Sequence, residues 1–364
     1  MPLPFLDDFR DRSQVRALLG ELNARLEGGP VRRVMEVCGT HTMAISRQGI
    51  RQALPPELKL ISGPGCPVCV TSNADIDRFI EISLLPGVIA ATFGDMLRVP
   101  GTRMGLSQAR GRGAQVRIVY STLDAVELAR KNPESEVVFF GVGFETTAPT
   151  VAAALVEARA ADLTNFHVLS VHKVVPPALE ALCAAPKLAV DAFLCPGHVS
   201  AIIGPEAYLP VAEKHNMPCV IAGFEPVDIL QSLIMIVDQL NGDRSVVETQ
   251  YNRVVQPGGN PAARAIMESV FDPCDAEWRG LGVIPSSGLS IKREFSGHDA
   301  GEKFDIDVSY SREPKGCICG SILTGVKIPT DCALFGAACN PGHPVGPCMV
   351  SSEGTCAAYY QYEI

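Results

Sequence analysis

The sequence lacks the features that mark a membrane protein or a nucleic-acid-binding protein. Only one tryptophan is present, and no apolar stretch reaches membrane-spanning length without a proline, a glycine or a charge. Residues 1–16 contain several charges and lack the apolar core of a secretion signal. Lysine and arginine do not cluster with aromatic residues, and the formal net charge is −9. We therefore expect a cytoplasmic protein that binds neither a membrane nor nucleic acid.

Cysteine, in contrast, is abundant, with 13 in 364 residues. The cytosol keeps thiols reduced, so a framework of structural disulfides is a poor explanation for this number. Metal binding and redox chemistry are the usual reasons for so many intracellular thiols.

Short apolar runs rich in β-branched residues alternate with stretches of helical spacing along most of the chain. This alternation predicts an α/β fold, with parallel sheets covered by helices on both faces. The predicted strands are 31–37, 58–61, 88–93, 116–120, 137–142, 166–170, 192–195 and 219–222.

The eight predicted strands fall into two sets of four with similar spacing. Cys38–Thr42 aligns with Val142–Thr146 at an offset of 104 residues, and Ser121–Ala125 aligns with Glu225–Ile229 at the same offset. The alternative explanation is that any two αβ units share glycines at their strand ends. A diverged internal duplication predicts two similar open parallel-sheet lobes.

This organisation divides the chain into four parts. The first lobe is expected at residues 31–125 and the second at residues 126–240. Residues 1–30 are expected to form a helical segment that packs on the C-terminal domain. That domain, residues 241–364, is rich in loops, and we expect it to hold an iron-sulfur cluster.

Two cysteine-containing loops follow predicted strands of the first lobe. Ligands of open parallel sheets bind beyond the carboxyl ends of the strands. Cys38 and His41 share one such loop, where the imidazole can tune the charge of the thiol or guide a proton. Cys66 and Cys69 form a C-x-x-C pair, which can close a reversible disulfide. Three sulfurs facing one cleft suit a soft or thiophilic metal better than magnesium or calcium.

Four other ionisable residues lie at predicted strand ends and could orient ligands or move protons at the same cleft. The alternative for each glutamate is that it only caps the next helix. These residues are Glu145, His172, His198 and Glu225.

Six cysteines lie close together near the C-terminus, at positions 317, 319, 332, 339, 348 and 356. Their wide spacing in a loop-rich segment favours a [4Fe-4S] cluster over structural zinc, which usually uses closely paired cysteines, although zinc stays open as an alternative. The remaining thiol of the 317/319 pair and Cys348 would then act as redox thiols. The expected cluster ligands are Cys317 (or Cys319), Cys332, Cys339 and Cys356.

Several long motifs, in order along nearly the whole chain, resemble the HypD family of hydrogenase formation proteins. The motifs that carry the resemblance are Cys38–Thr42, Gly63–Val70, Phe93–Gly101, Gly143–Pro149, Pro196–Ser200, Gly223–Pro226 and Cys348–Cys356.

The resemblance implies a scaffold for the Fe(CN)2(CO) group of [NiFe]-hydrogenase. Proteins of this family work with a small HypC-type chaperone that shares the iron with the cysteine matching Cys38. A HypE-type protein, supplied by HypF, delivers cyanide, and the hydrogenase large subunit is reached indirectly. The family's [4Fe-4S] cluster is proposed to pass electrons to the pair matching Cys66 and Cys69. The alternative function is an iron-sulfur-dependent thiol-disulfide reductase using the same pair.

Overall fold

The computed structural model describes residues 8–185 and 188–363, so residues 1–7 of the expected N-terminal segment lie outside the described residues. The strands are β1 Arg32–Glu36, β2 Leu58–Ser62, β3 Val88–Thr92, β4 Gln115–Ile118, β5 Glu136–Gly141, β6 Phe166–Ser170, β7 Ala192–Pro196, β8 Cys219–Ala222, β9 Val247–Thr249, β10 Phe271–Trp278 and β11 Gly282–Ile291.

The strands form two parallel sheets and one antiparallel hairpin. The first sheet has the order β2-β1-β7-β8-β9 and the second has the order β4-β3-β5-β6. Every pairing within these two sheets is parallel, whereas β10 and β11 pair antiparallel. The predicted α/β class with two open parallel-sheet lobes is therefore confirmed.

Helices connect the strands and cover the sheets, as parallel strands require. The helices are α1 Arg12–Leu26, α2 Gly39–Arg47, α3 Ile50–Ala53, α4 Pro67–Val70, α5 Asn73–Ser83, α6 Leu106–Gly111, α7 Thr122–Lys131, α8 Ala148–Ala160, α9 Val175–Ala184, α10 Gly197–Ile203, α11 Leu209–His215, α12 Pro226–Asn241, α13 Pro261–Val270, α14 Ala300–Lys303, α15 Cys319–Leu323 and α16 Thr355–Tyr362.

Short 3-10 helices add single turns, mostly in the loops after strands and in the C-terminal region. They span Asp8–Arg10, Gly94–Arg98, Pro205–Tyr208, Arg293–His298, Pro329–Asp331 and Pro347–Met349.

The boundary expected between residues 125 and 126 does not separate the two lobes. The first sheet combines β1 and β2 with β7, β8 and β9, whereas the second sheet consists of β3 to β6. The chain thus leaves the first sheet after β2, builds the whole second sheet, and returns after β6. Periodicity along the sequence predicts strands but not their neighbours, which is why the contiguous division differed from the structure.

The two sheets nevertheless agree with an internal duplication. Strands β1, β3 and β4 recur 104 residues later as β5, β7 and β8. With this correspondence, β2-β1-β7-β8 and β6-β5-β3-β4 are the same order of strands. Each sheet therefore takes the first two strands of one repeat and the last two of the other.

The N-terminal helix packs on the first lobe and not mainly on the C-terminal region, as had been expected. Helix α1 lies along α12, and Leu22 and Leu26 join a core with Leu230 and Leu233 on one face of the first sheet. The periodic leucines of α1 match the apolar face of α12, so burial of this face determines the docking.

Residues 241–363 are distributed over both lobes. Strand β9 extends the first sheet, α13 packs on α8, and α16 packs on α2. The single tryptophan, Trp278, is buried and donates its indole N–H to Ser287 Oγ at 2.8 Å. Among the helices of the described ranges, none has the length and apolar character needed to cross a bilayer.

Candidate functional site

An open cleft of about 320 Å³ lies where loops from the two sheets meet the C-terminal region. Its lining comes from the loop after β2, the loops after β3 and β5, and the segment just before α16. Binding at the carboxyl ends of parallel strands is the general rule for such sheets. The lining residues are Pro67, Val68, Phe93, Gly94, Asp95, Met96, Val142, Gly143, Phe144, Thr146, Thr147, Ser351, Ser352 and Glu353.

Cys38 lies at the N-terminal end of α2, directly after β1, with 8% of its surface exposed. The loop before Cys66 packs tightly against it, because Gly39 N–H donates to Gly65 O at 2.9 Å. A Cβ atom at Gly65 would lie 2.3 Å from the Cys38 nitrogen, so only glycine fits there. The structure thus brings the Cys38 loop and the Cys66 loop together, as expected.

Burial, followed by the charge of Glu353, raises the pKa of the Cys38 thiol to about 11. The backbone amides of His41 and Thr40 and the Thr40 hydroxyl lower this pKa, but by less. Cys38 is therefore a neutral thiol near pH 7 until a metal or a base displaces its proton.

Glu353 is a site residue that sequence reasoning missed. The Thr40 hydroxyl donates to Glu353 Oε1 at 2.6 Å, and the carboxylate lines the cleft next to Asp95. Burial raises the pKa of Glu353, with a further contribution from the charge of Asp95. Glu353 lies inside the Cys348–Cys356 motif, but the residue pattern of that motif indicated a role only for its cysteines.

His41 does not act as a charged partner of the Cys38 thiolate. Its Nε2 lies 2.9 Å from Gly223 O, so the ring donates there, and it stacks on Phe224 with ring centroids 4.6 Å apart. Burial lowers the pKa of His41 to about 4, which leaves the imidazole neutral. Its Nδ1 is buried and has no hydrogen-bond partner among the described residues.

The other four ionisable residues predicted at strand ends do not come together at one site. His198 is exposed and its ring centroid is 4.1 Å from that of Phe224, so it lies beside His41. Glu225 caps α12 and forms an ion pair with Arg10 at 2.5 Å.

Glu145 and His172 are buried away from the lining of the cleft. Glu145 Oε1 accepts the N–H of Val175 at 2.9 Å at the start of α9, and burial raises its pKa to about 7. His172 Nδ1 lies 3.0 Å from Ser170 Oγ, and burial lowers the pKa of His172 to about 3. The loop position was predicted for both residues, but the direction of the side chain was not.

Cys66 and Cys69 form a disulfide at the N-terminal end of α4. Both sulfurs are buried, while the intervening Pro67 and Val68 line the cleft. Helix α4 also contacts the 3-10 helix Pro347–Met349, which carries Cys348. The pair is therefore placed between the cleft and the C-terminal cysteines.

All six C-terminal cysteines line one small enclosed space. The pKa of Cys317 is raised by its hydrogen bond with Cys319 and then by burial. The pKa of Cys356 is raised by burial and then by the neighbouring thiols. No three His, Cys, Asp or Glu side chains of residues 8–185 and 188–363 form a group that could hold a single metal ion. The thiols surround a space instead, and a ring of soft donors fits a polynuclear iron-sulfur unit.

Within this ring, Cys319 and Cys348 form a close pair, with their sulfurs 2.9 Å apart and both side chains buried. They share one hydrophobic core with Cys66, Cys69 and Trp278. Cys317, Cys332, Cys339 and Cys356 are the other four thiols that line this space. The choice between Cys317 and Cys319 as a cluster ligand stays a prediction.

Comparison with known proteins identifies the family of this chain. A family model named HypD, described as "Hydrogenase formation hypA family", matches residues 13–363. The chain belongs to the HypD family. The chain is 46% identical over 367 residues to a protein named hydrogenase maturation factor HypD from Azotobacter vinelandii, covering 99% of this chain and 97% of the relative.

Two further relatives of the same name are similar over their whole length. The Escherichia coli K12 protein is 47% identical, with 98% of each chain covered. The Rhodobacter capsulatus protein is 46% identical, with 99% of this chain and 98% of the relative covered. The family resemblance predicted from the motifs is therefore confirmed.

Proposed function

We propose that this protein acts in hydrogenase maturation as a cytoplasmic scaffold and redox protein on which an Fe(CN)2(CO) group is assembled. The observation that carries the proposal is the position of Cys38 next to Glu353, which lines the open cleft, with the loop before Cys66 packed against Cys38. The names of the relatives support the process, and the geometry supports the role of scaffold.

Cys38 would hold the iron, which is cargo and not a resident cofactor. A soft thiolate suits low-spin iron(II) with cyanide and carbonyl ligands. Because the thiol is neutral near pH 7, its proton must leave as the iron–sulfur bond forms. Glu353, whose charge already acts on Cys38, is the carboxylate placed to accept that proton.

The C-terminal cysteines would hold a [4Fe-4S] cluster through Cys317, Cys332, Cys339 and Cys356. When bound, such a cluster supplies single electrons. Cys319 and Cys348 would be a redox pair beside it. Their dithiol form can reduce the Cys66–Cys69 disulfide by exchange, in which two thiols become a disulfide while the other disulfide takes up two electrons and two protons.

Family membership supports partners from the hydrogenase maturation machinery, and the specific partners are proposed here. A small HypC-type chaperone would share the iron with Cys38, and a HypE-type protein, supplied by HypF, would deliver cyanide. The finished group would pass on to the hydrogenase large subunit.

Infrared spectroscopy of the protein purified anaerobically with its small chaperone tests the scaffold. We expect bands in the cyanide and carbonyl regions, their loss in Cys38→Ala, and unchanged bands in Cys274→Ala, whose thiol lies in the β10–β11 hairpin. Bands that persist in Cys38→Ala would refute the assignment of the iron ligand.

Visible absorption tests the cluster. Cys339→Ala should lose the cluster absorption, whereas Cys319→Ala should retain it and fail to reduce the Cys66–Cys69 disulfide. Loss of absorption in both variants would mean that Cys319 is a ligand, and zinc in place of iron by elemental analysis would reject the cluster.

The disulfide favours a second function, a cluster-dependent thiol-disulfide reductase. That function requires Cys66 and Cys69 but makes no use of Cys38. Disulfide reduction that continues in Cys38→Ala, together with an absence of cyanide bands in the wild-type protein, would favour the reductase.

A further inference from the structure

One segment has a charge opposite to that of the whole chain. Residues 96–123 contain five arginines and no acidic residue, although the formal net charge of the protein is −9. The segment runs through α6 and the edge strand β4 to the start of α7. The arginines are Arg98, Arg103, Arg110, Arg112 and Arg117.

Three of these arginines are exposed, and their guanidinium groups form no ion pair or hydrogen bond among the described residues. They are Arg110, Arg112 and Arg117. The other two have intramolecular contacts. Arg103 lies 3.6 Å over the ring of Tyr310, and Arg98 donates to Val350 O at 3.3 Å. The nearest acid in sequence after the segment, Asp124, already accepts hydrogen bonds from backbone N–H groups at the start of α7.

Apolar side chains are also exposed in the same segment, at the end of β4 and after it. Tyr120 is 93% exposed, Leu123 is 47% exposed and Ile118 is 44% exposed. A Cβ atom at Gly94 would lie 3.8 Å from the Ile118 side chain, and Gly94 lines the cleft. The exposed apolar residues are therefore continuous with the rim of the cleft that contains Glu353.

Protection of a sheet edge explains only part of this pattern. In the described chain, β4 pairs with β3 alone, and a charged residue on such an edge prevents unwanted strand pairing. That accounts for Arg117, which lies in β4. It does not account for Arg110 and Arg112 at the end of α6, or for a tyrosine that is almost fully exposed.

The name arginine surface is used here for six exposed residues: Arg110, Arg112, Arg117, Ile118, Tyr120 and Leu123. We propose that the arginine surface docks an acidic segment of a partner protein that also carries apolar side chains. Carboxylates of the partner pair with the guanidinium groups, and its apolar residues cover Tyr120. The inference rests on the proposed function only in assuming that a protein acts at this cleft.

Two other occupants fit the surface less well. A second copy of this chain would place the arginine surface on a different, acidic patch, and such a contact does not close into a symmetric dimer. Single-stranded nucleic acid binds through several stacked aromatic side chains, whereas this surface has only Tyr120.

The test uses a fluorescein-labelled peptide of eight residues in which glutamate alternates with valine, added to the full-length protein at low salt. Fluorescence anisotropy measures binding to wild type and to the triple variant Arg110→Gln/Arg112→Gln/Arg117→Gln. We expect roughly tenfold weaker binding by the variant, because each of three exposed ion pairs contributes about a factor of two. Tyr120→Ser should weaken binding several-fold.

The matched control removes the same charge elsewhere, at three exposed arginines without ion pairs in the described residues, Arg47, Arg244 and Arg293. Their triple change to glutamine should alter binding less than twofold, and a glutamine-valine peptide should not bind. Equal weakening by both triple variants would overturn the proposal, since net charge alone would then explain binding.

Two further measurements exclude the other occupants. A single-stranded oligonucleotide that binds more tightly than the peptide, and loses binding in the Arg110/Arg112/Arg117 variant, would assign the surface to nucleic acid. Self-association in sedimentation that the same variant abolishes would assign it to a second copy. Peptide binding should be unchanged in Cys38→Ala, so failure of the iron assignment would leave the docking result interpretable.

Discussion

Cys38 is buried beside Glu353, whose carboxyl group lines the cleft. The two residues come from opposite ends of the chain, and the contact depends on α16 packing against α2. Gly39 permits the approach, because a Cβ atom there would lie 2.5 Å from Glu353 Cβ. The protonation of the thiol is therefore controlled by burial and by a carboxylate from the C-terminal region, while His41 stays neutral.

We expect Glu353→Gln to lower the pKa of Cys38, because the charge that opposes the thiolate is removed while the acceptor for the Thr40 hydroxyl is kept. Alkylation of Cys38 at pH 8 should become about 3- to 10-fold faster, since thiolate concentration follows the pKa. Mass spectrometry of the Cys38 peptide measures the rate. Glu294→Gln, at an exposed carboxylate, is the control, and equal rates for the two variants would contradict the prediction.

Glu145 should make stability depend on pH. Burial raises its pKa from 4.5 to about 7, so the folded protein binds this proton more tightly than the unfolded chain does. Its contribution to stability is complete below about pH 4.5 and is lost as the pH rises to about 7. In Glu145→Gln this loss of stability should disappear, so the difference in unfolding free energy between variant and wild type should grow with pH by about 2–3 kcal/mol. Urea unfolding from pH 4.5 to 7.5 measures this difference. Parallel curves of unfolding free energy against pH for the two proteins would contradict the prediction.

At the scale of elements, the site depends on how closely two loops approach each other. The turn Gly63–Gly65 after β2 lies against the junction of β1 and α2, and this contact places the Cys66–Cys69 disulfide beside Cys38. Both loops follow neighbouring parallel strands, so their proximity is a consequence of the β1–β2 pairing.

Gly65→Ala should separate these loops, because the added methyl group would overlap the Cys38 backbone. Overpacking of this kind costs about 1–3 kcal/mol of unfolding free energy, and iron loading should fall with it. Gly297→Ala is the matched control, since its methyl group would meet nothing within 4 Å and Gly297 does not line the cleft. Urea unfolding measures the loss of unfolding free energy, and the infrared bands measure iron loading. Equal unfolding free energies and equal iron loading in the two variants would disprove the packing argument.

At the scale of the whole molecule, the second lobe is an insertion in the first. Residues 72–184 contain β3 to β6, which form one complete sheet, whereas residues 31–125 contain two strands from each sheet. The crossing segments carry Cys66 and Cys69 on the way out and His172 on the way back. Three of the residues that the sequence singled out therefore lie where the chain passes from one lobe to the other.

Expression of fragments checks this organisation. Residues 72–184 should give circular dichroism typical of an α/β protein and a cooperative unfolding transition, although weaker than in the full chain. Residues 31–125 should show no cooperative transition, because β1-β2 and β3-β4 pair with strands that the fragment lacks. A cooperative transition in residues 31–125 alone would contradict the observed pairing.

The sequence predicted strands β1 to β8, the fold class and the cysteine loops, because period, turn residues and thiol spacing are local signals. It missed β9 and the hairpin β10–β11, which lie in the region expected to consist of loops. It did not predict Glu353, whose role depends on α16 docking against α2. It also did not predict that Glu145 faces α9, or that β2 and β3 lie in different sheets. Each of these depends on contacts between distant segments, which local patterns do not encode.

The exchange of strand pairs between the two repeats suggests an ancestor in which two identical half-length chains completed each other's sheets. Such a pair would have had two equivalent ends. In the present chain, Val142 occupies the position matching Cys38, and the loop after β6 contains no cysteine. Under the proposed function, one polypeptide would therefore hold one iron group, because only one of its two ends has kept the thiols.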